Sequence, residues 1–421
     1  MKLVGRLLRD AVLERRREEA GRCRLRAKST HCAGAGARLE LQVSPSGRRR
    51  TRSTGAMFMG AISVAALYST SSAAQSSVML YGLVDSGIRY TTNADRAGDS
   101  QVRLVSGASE SHFGLRGMED IGGGTKVLFQ IEDRFLSNSG AIDPAYPLFN
   151  TAIVGVQSNT FGSLTMGRQF NPLSDVVMRA FVTNPWLPTF YQFRPEVMMA
   201  QGVWTSNMVK YAARWQDLTI ELSYAFGGNA GAFGAGSQIG ASMLYSPTAP
   251  LRVGVAYLDS RDAVNSSAHF KSWGAGGSYT VGSTMLIAGW AVNRQDAAFV
   301  GNFPNGPFSE AELTAIKFNT FSARQMFFGA VTQPVGAAAH FSANVWRTIQ
   351  TGKSQSSDGN ATQFQLLADY NWTKRTDTYL EADYSLYRGG LVGAQFQGVN
   401  AVSSAFRTTQ FGVMAGLRHM F

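Results

Sequence analysis

The 421-residue chain carries a formal charge of +11, yet residues 1–74 alone hold 15 of the 39 Lys/Arg and 5 of the 28 Asp/Glu, a net of +10. Residues 75–421 are left near neutral, with 24 basic against 23 acidic side chains, which excludes the broad basic surface that nucleic-acid binding needs. Both cysteines, Cys23 and Cys32, also lie in the first segment, so the rest has no disulfide framework or cysteine metal site, a composition compatible with an oxidising exterior compartment.

In chain order, residues 1–55 read as a basic leader and 56–74 as a signal peptide. Arg48, Arg49, Arg50 and Arg52 precede a short apolar run that ends on Ser72, Ala73 and Ala74. The run is shorter than the roughly 20 apolar residues of a membrane-spanning helix. Its positive, apolar and small-residue parts fit a secretory signal, with cleavage expected after Ala74. The Arg-rich stretch upstream is awkward for an exported protein. Translation is therefore expected to begin nearer Met57, or at a non-standard start around Val43; a long genuine leader is the other reading.

From residue 75 onward the pattern is that of strands, with side chains alternating between two faces. Val78, Leu80 and Val84 oppose Tyr81, Asp85 and Arg89; Val127, Phe129 and Ile131 oppose Gln130, Glu132 and Arg134. Leu218, Ile220, Leu222, Tyr224 and Phe226 oppose Asp217, Thr219, Glu221 and Ser223. Further on, Phe364, Leu366, Ala368 and Tyr370 oppose Gln363, Gln365 and Asp369, and Leu380, Ala382, Tyr384 and Leu386 oppose Glu381, Asp383 and Tyr387. The last segment sets Phe411, Val413, Ala415 and Leu417 against Gln410, Gly412 and Arg418 and stops on Phe421.

Sixteen strands are expected, near 78–91, 109–118, 123–135, 149–158, 162–170, 206–215, 217–227, 238–246, 251–258, 269–280, 284–295, 320–332, 336–350, 361–373, 375–389 and 405–421. Tight turns alternate with long connections, the longest being 171–205. An even strand count, repeated charge on one face and loops sorted by length predict an all-β transmembrane antiparallel barrel over 75–421. Trp290, Trp346, Trp372, Tyr370 and Tyr387 are expected in its interfacial girdles.

The pieces Ser77–Asp85 (SVMLYGLVD), Phe113–Gly124 (FGLRGMEDIGGG), Phe129–Glu132, Phe161–Gln169 (FGSLTMGRQ), Val209–Tyr211 and Gly416–Phe421 resemble, in order, the general diffusion porins of Gram-negative outer membranes, particularly the betaproteobacterial type. The resemblance implies a sixteen-stranded barrel, association as a homotrimer, and a third long loop folded inward to narrow a water-filled pore. It implies a passive channel for ions and small polar solutes, with outer-membrane lipid and lipopolysaccharide around it and the barrel-insertion machinery reading Phe421 as an assembly signal.

The constriction is expected to draw on Arg116 and Arg168 of the wall and on Asp175, Arg179, Arg194 and Glu196 of the loop, since charges facing each other across a narrow aqueous passage select ions. Asp85, Arg89, Glu132, Arg134, Glu381, Asp383 and Arg418 are expected to face the lumen. By the resemblance, anion-preferring relatives carry basic wall residues at positions that align to His112, Asn150 and Trp204, none of them arginine here, so no ion preference follows. No cofactor or metal is expected: the histidines of the body, His112, His269, His340 and His419, lack metal-ligand spacing, and no nucleophile elbow or phosphate loop is present. A substrate-specific uptake channel and, behind it, a barrel hydrolase using His112 or His269 are the alternative functions.

Overall fold

What closes this chain on itself is backbone pairing around a ring, because an amide left open in hydrocarbon costs several kcal/mol. The structure, a computed structural model, describes residues 77–95, 97–143, 147–183, 202–300, 320–392 and 407–421; the expected leader and signal peptide lie outside them. The described strands are β1 (Ser77–Thr91), β2 (Gln101–Val105), β3 (His112–Gly122), β4 (Thr125–Arg134), β5 (Thr151–Ser158), β6 (Gly162–Phe170), β7 (Trp204–Trp215), β8 (Leu218–Ala225) and β9 (Gln238–Tyr245). They continue with β10 (Leu251–Arg261), β11 (His269–Val281), β12 (Thr284–Gln295), β13 (Phe321–Val335), β14 (Ala339–Gly352), β15 (Gly359–Asn371), β16 (Thr376–Gly389) and β17 (Thr409–Met420).

All but β2 form the expected wall: β1 pairs with β3, each strand then pairs antiparallel with the next, and β17 returns to β1 from Leu83 opposite Met420 to Thr91 opposite Gly412. The result is a closed sixteen-stranded antiparallel barrel. Its seam is finished by the chain end, where Phe421 N–H donates to the Gly82 carbonyl (3.0 Å) and Gly82 N–H donates to the Phe421 carbonyl (3.2 Å). At the β3–β4 turn, Gly122, Gly123 and Gly124 take φ of 89°, 62° and 72°, the left-handed region that glycine enters without strain.

β2 is an addition to the sequence expectation, which has a loop over 92–108. It pairs with Gly87–Thr91 of β1, while β3 takes Ser77–Leu83 on the same edge, so the two are halves of one interrupted strand. In the break, Asp85 N–H donates to Ser111 Oγ (2.9 Å), and the Asp85 carbonyl accepts from Ser111 Oγ (3.1 Å). These side-chain bonds satisfy backbone groups that the ladder misses there.

The alternation holds along the wall. In β15, buried Gln363, Gln365 and Asp369 alternate with exposed Phe364, Leu366 and Tyr370; in β17, exposed Phe411, Ala415 and Leu417 oppose buried Gln410, Met414 and Arg418. Trp215, Phe161, Tyr370 and Trp372 are exposed at the tight-turn end, as a girdle requires. Trp346 and Tyr387 correct the expectation. They share the inner pleat with Asn344 and Thr348 and with Asp383 and Ser385, and both are shut from solvent. The period of two decides which way they point, whatever an aromatic ring would gain at the interface. No helix among the described residues is long and apolar enough to cross a membrane; the crossing is made by strands.

Candidate pore site

The loop that follows β6 starts as a helix for local reasons. Asn171 caps it, its Oδ1 accepting from Ser174 N–H at 3.0 Å, and Pro172 occupies the first turn, where its missing N–H costs nothing. The helix α1 (Pro172–Val176) runs straight into one π-helical turn, Val177–Phe181. Leu173, Val176, Val177, Ala180 and Phe181 are buried in one cluster with Leu244, Ala256, Leu258, Ile287 and Phe328, inner-pleat residues of β9, β10, β12 and β13. Phe181 stacks on Phe328 with centroids 5.7 Å apart. Beneath them β11 presents glycine: a Cβ on Gly274 would fall 2.5 Å from Leu173 Cδ1, and one on Gly276 2.7 Å from Phe181 Cγ. The bed is flat because those side chains are missing.

Charged residues of the same segment reach the neighbouring wall. Lys210 Nζ of β7 donates to Asp175 Oδ2 (2.5 Å) and to the Phe170 carbonyl (2.9 Å). Arg179 Nη1 donates to Glu221 Oε1 of β8 (3.1 Å), whose Oε2 accepts from Ser242 Oγ (3.2 Å). About half of the Arg179 side chain stays open to solvent.

Counting along the ring, β10 stands eight strands from β1, so the wall opposite the docked segment is that of β1, β3 and β4. Its inner pleat is polar. Glu132 accepts from Tyr81 OH (2.9 Å) and Asn150 Nδ2 (3.0 Å), and Gln130 Nε2 donates to Tyr81 OH (2.6 Å). Arg116 lies over the Tyr81 ring at 5.2 Å and donates to Met79 Sδ, and His112 meets the same ring edge-on. Arg134 pairs with Glu110 and covers the Trp204 ring at 4.3 Å, and Trp204 Nε1 donates to Thr151 Oγ1.

A third group lies on the inner pleats of β1, β16 and β17. Arg89 bridges Glu381 (3.0 Å) and Asp383 (2.6 Å), and Arg418 Nε donates to Asp377 (3.0 Å). Asp85 accepts from Tyr379 OH (2.7 Å) and from Ser109 N–H (2.7 Å), and Ala108 N–H donates to Tyr379 OH (2.7 Å). The break between β2 and β3 thus folds over this sector, with Val105 and Ala108 packed on Leu367, Tyr379 and Met414. On this inner face Arg89 with Glu381 and Asp383, and Arg418 with Asp377, are therefore buried ion pairs, and Asp85 is buried on neutral donors, all with little contact to water.

Arg168 is also nearly buried. It stands opposite Ala152, on the pleat alternate to Thr165 and Gln169, and donates to Ser206 Oγ at 2.7 Å. Arg194 and Glu196 lie outside the described residues. The structure brings Asp175 and Arg179 together with Lys210 and Glu221, partners that the site expectation omits although strand parity puts both on polar pleats. Tyr81 and Asn150 complete the wall around Glu132.

A closed sixteen-stranded wall, apolar outside and polar inside, defines a β-barrel channel of the outer membrane. Residues 61–390 match the family model described as Gram-negative porin, and the chain belongs to that family. It is 27% identical over 390 residues to an outer membrane porin protein of Bordetella pertussis, spanning 83% of this chain and 95% of that protein. It is 27% identical over 359 residues to outer membrane porin protein 32 of Delftia acidovorans, again over 83% and 95%. Among solved structures, the anion-selective porin from Comamonas acidovorans matches with a TM-score of 0.64 at 24% identity, covering 82% of this chain and all of that one. The trimer form of OmpT from Vibrio cholerae matches with a TM-score of 0.58 at 15% identity, over 82% and 99%. The protein is a water-filled channel of the Gram-negative outer membrane through which ions and small hydrophilic solutes diffuse passively.

Proposed function

We propose that the channel works as a homotrimer, each barrel narrowed between the docked segment Pro172–Phe181 and the wall around Glu132, and that its anion preference is weak. The observation that carries the narrowing is the glycine bed: Leu173 packs where a side chain on Gly274 would stand, and Phe181 lies against Gly276, beside the Ala288 carbonyl. The remainder of the third loop, with Arg194 and Glu196, would extend the same constriction. Trimeric association is supported by the trimer form in which a fold neighbour was solved.

The weak preference is supported by the wall chemistry. The fold neighbour from Comamonas acidovorans is described as anion-selective. In this chain Asn150, aligned by the resemblance to a basic wall position, donates to a carboxylate, and Trp204 sits under Arg134, which Glu110 neutralises. Glu132 is held by neutral donors, so its charge remains to act on a passing ion. A hydrolase is disfavoured: among the described residues the ring contacts of His112 and His269 are Nδ1 to the Glu110 carbonyl (3.0 Å) and Nδ1 to Asp259 (2.7 Å), and no serine hydroxyl is hydrogen-bonded to either ring. The test is the reversal potential of single channels in a salt gradient. Glu132→Gln should move it toward anions by several millivolts, and no movement would remove Glu132 from the filter.

A further inference from the structure

A thioether open to water is a target for oxidants, and the groups around it set how fast it reacts. Residues 75–421 carry no cysteine, so methionine is the side chain of the barrel most readily oxidised by peroxide. The exposed methionines divide by face. Met166 and Met243 stand on the outer pleat, against lipid. Met79, Met118 and Met178 open onto the lumen, and Met79 is the most exposed of them at 52%.

Among the described residues, Met79 is the one of these three with a hydrogen-bond donor at its sulfur. It stands directly opposite Arg116 across the β1–β3 ladder, and Arg116 Nη2 donates to Met79 Sδ at 3.3 Å. The same guanidinium lies over the Tyr81 ring at 5.2 Å, so it is held between ring and sulfur. The sulfur keeps a second lone pair, and a guanidinium with five N–H groups has donors to spare. Peroxide in the lumen water therefore meets a nucleophile and a cationic donor at one place.

We propose that Met79 is a site of oxidation by hydrogen peroxide, with Arg116 assisting the step. The free sulfur lone pair attacks one peroxide oxygen, and the O–O bond breaks as the S–O bond forms. The departing hydroxide, stabilised by the Arg116 N–H groups, takes the proton of the attacked oxygen and leaves as water. Sulfur gives up two electrons and the peroxide gains them, so the products are Met79 sulfoxide and water. A sulfoxide oxygen accepts from a guanidinium far better than a thioether does. It draws Arg116 from the Tyr81 ring toward the tight-turn mouth. Because Tyr81 OH donates to Glu132, the same movement takes a cation away from that carboxylate. This consequence rests on the Glu132 filter proposed above; the oxidation itself does not.

The assembled barrel in detergent is treated with dilute hydrogen peroxide, and sulfoxide at each methionine is followed by peptide mass spectrometry. Met79 should oxidise roughly fivefold faster than Met118 or Met178, the rate equivalent of one net hydrogen bond, and faster still than Met166 and Met243. Arg116→Gln should bring Met79 down to the rate of Met118. A Met79 rate no higher than that of Met118, or one unchanged by Arg116→Gln, overturns the site. In planar bilayers with a salt gradient, peroxide should move the reversal potential toward cations, and methionine sulfoxide reductase should restore it. Met79→Leu should abolish the movement; an equal movement in that variant overturns the role of Met79. An unmoved potential in channels whose Met79 is oxidised overturns the link to Glu132, while the oxidation stands or falls on the peptides.

Discussion

Truncating Phe181 to alanine tests whether the loop segment is held by its apolar side. Phe181 fills the space between Phe328 and the floor at Gly276, and it is 1% exposed. Removing a buried phenylalanine costs about 3–5 kcal/mol, part transfer and part cavity. That is two to three and a half powers of ten in the ratio of docked to undocked segment. The wall is spared, because Pro172–Phe181 takes no part in any strand ladder. Phe181→Ala should therefore raise single-channel conductance and channel noise while leaving heat-resistant assembly intact. It should also expose Arg179 to trypsin added on the long-loop side. Gly274→Val, which puts carbon where Leu173 Cδ1 now packs, should act in the same direction. A variant with unchanged conductance and an uncut Arg179 would refute the idea that apolar docking sets the bore.

Three other outcomes follow from single contacts. Asp175→Asn leaves Lys210 without its ionic partner and should displace the reversal potential toward anions, measured in a potassium chloride gradient; an unmoved potential would take the pair out of the ion path. Tyr379→Phe strips a bond each from buried Asp85 and from Ala108 N–H, at about 1–3 kcal/mol apiece, and should lower the thermal unfolding midpoint followed by circular dichroism; an unchanged midpoint would mean that the break between β2 and β3 is not clamped there. Deleting Phe421 removes both hydrogen bonds to Gly82 at the barrel seam and should cut the yield of assembled barrel several-fold on semi-native gels; full yield would show that the seam closes without them.

The wall was legible because a period of two is a local property: Leu380, Ala382 and Tyr384 announce their outward face within five residues. What sequence could not supply is contact between distant segments. Leu173, Val176 and Phe181 sit in a stretch whose charges draw attention, yet its buried side is decided by Gly274 and Gly276, a hundred residues on. Trp346 illustrates the competition between rules. Its aromatic character suggests a girdle, but its pleat carries Asn344 and Thr348, and parity is the stronger constraint since one slip would invert every side chain on the strand.

The same distance effect changes the meaning of the inner charges. Asp85, Arg89, Glu381, Asp383 and Arg418 are polar residues on a polar pleat, and alternation alone makes them a wetted lumen. The interruption between β2 and β3 packs Val105–Ser111 against Asp85 and Arg418, and Tyr379, 294 residues from Asp85 in sequence, completes the clamp. Buried pairs of this kind bind one strand to the next and have little hold on a passing ion. On the proposed reading, selectivity rests, among the described residues, on charges that keep contact with water: Glu132 and Arg116 on one wall, and Arg179 with the Lys210–Asp175 pair across from them. If substituting Arg89 with Gln altered ion preference while the barrel stayed assembled, the sealed sector would have to be part of the conducting path after all.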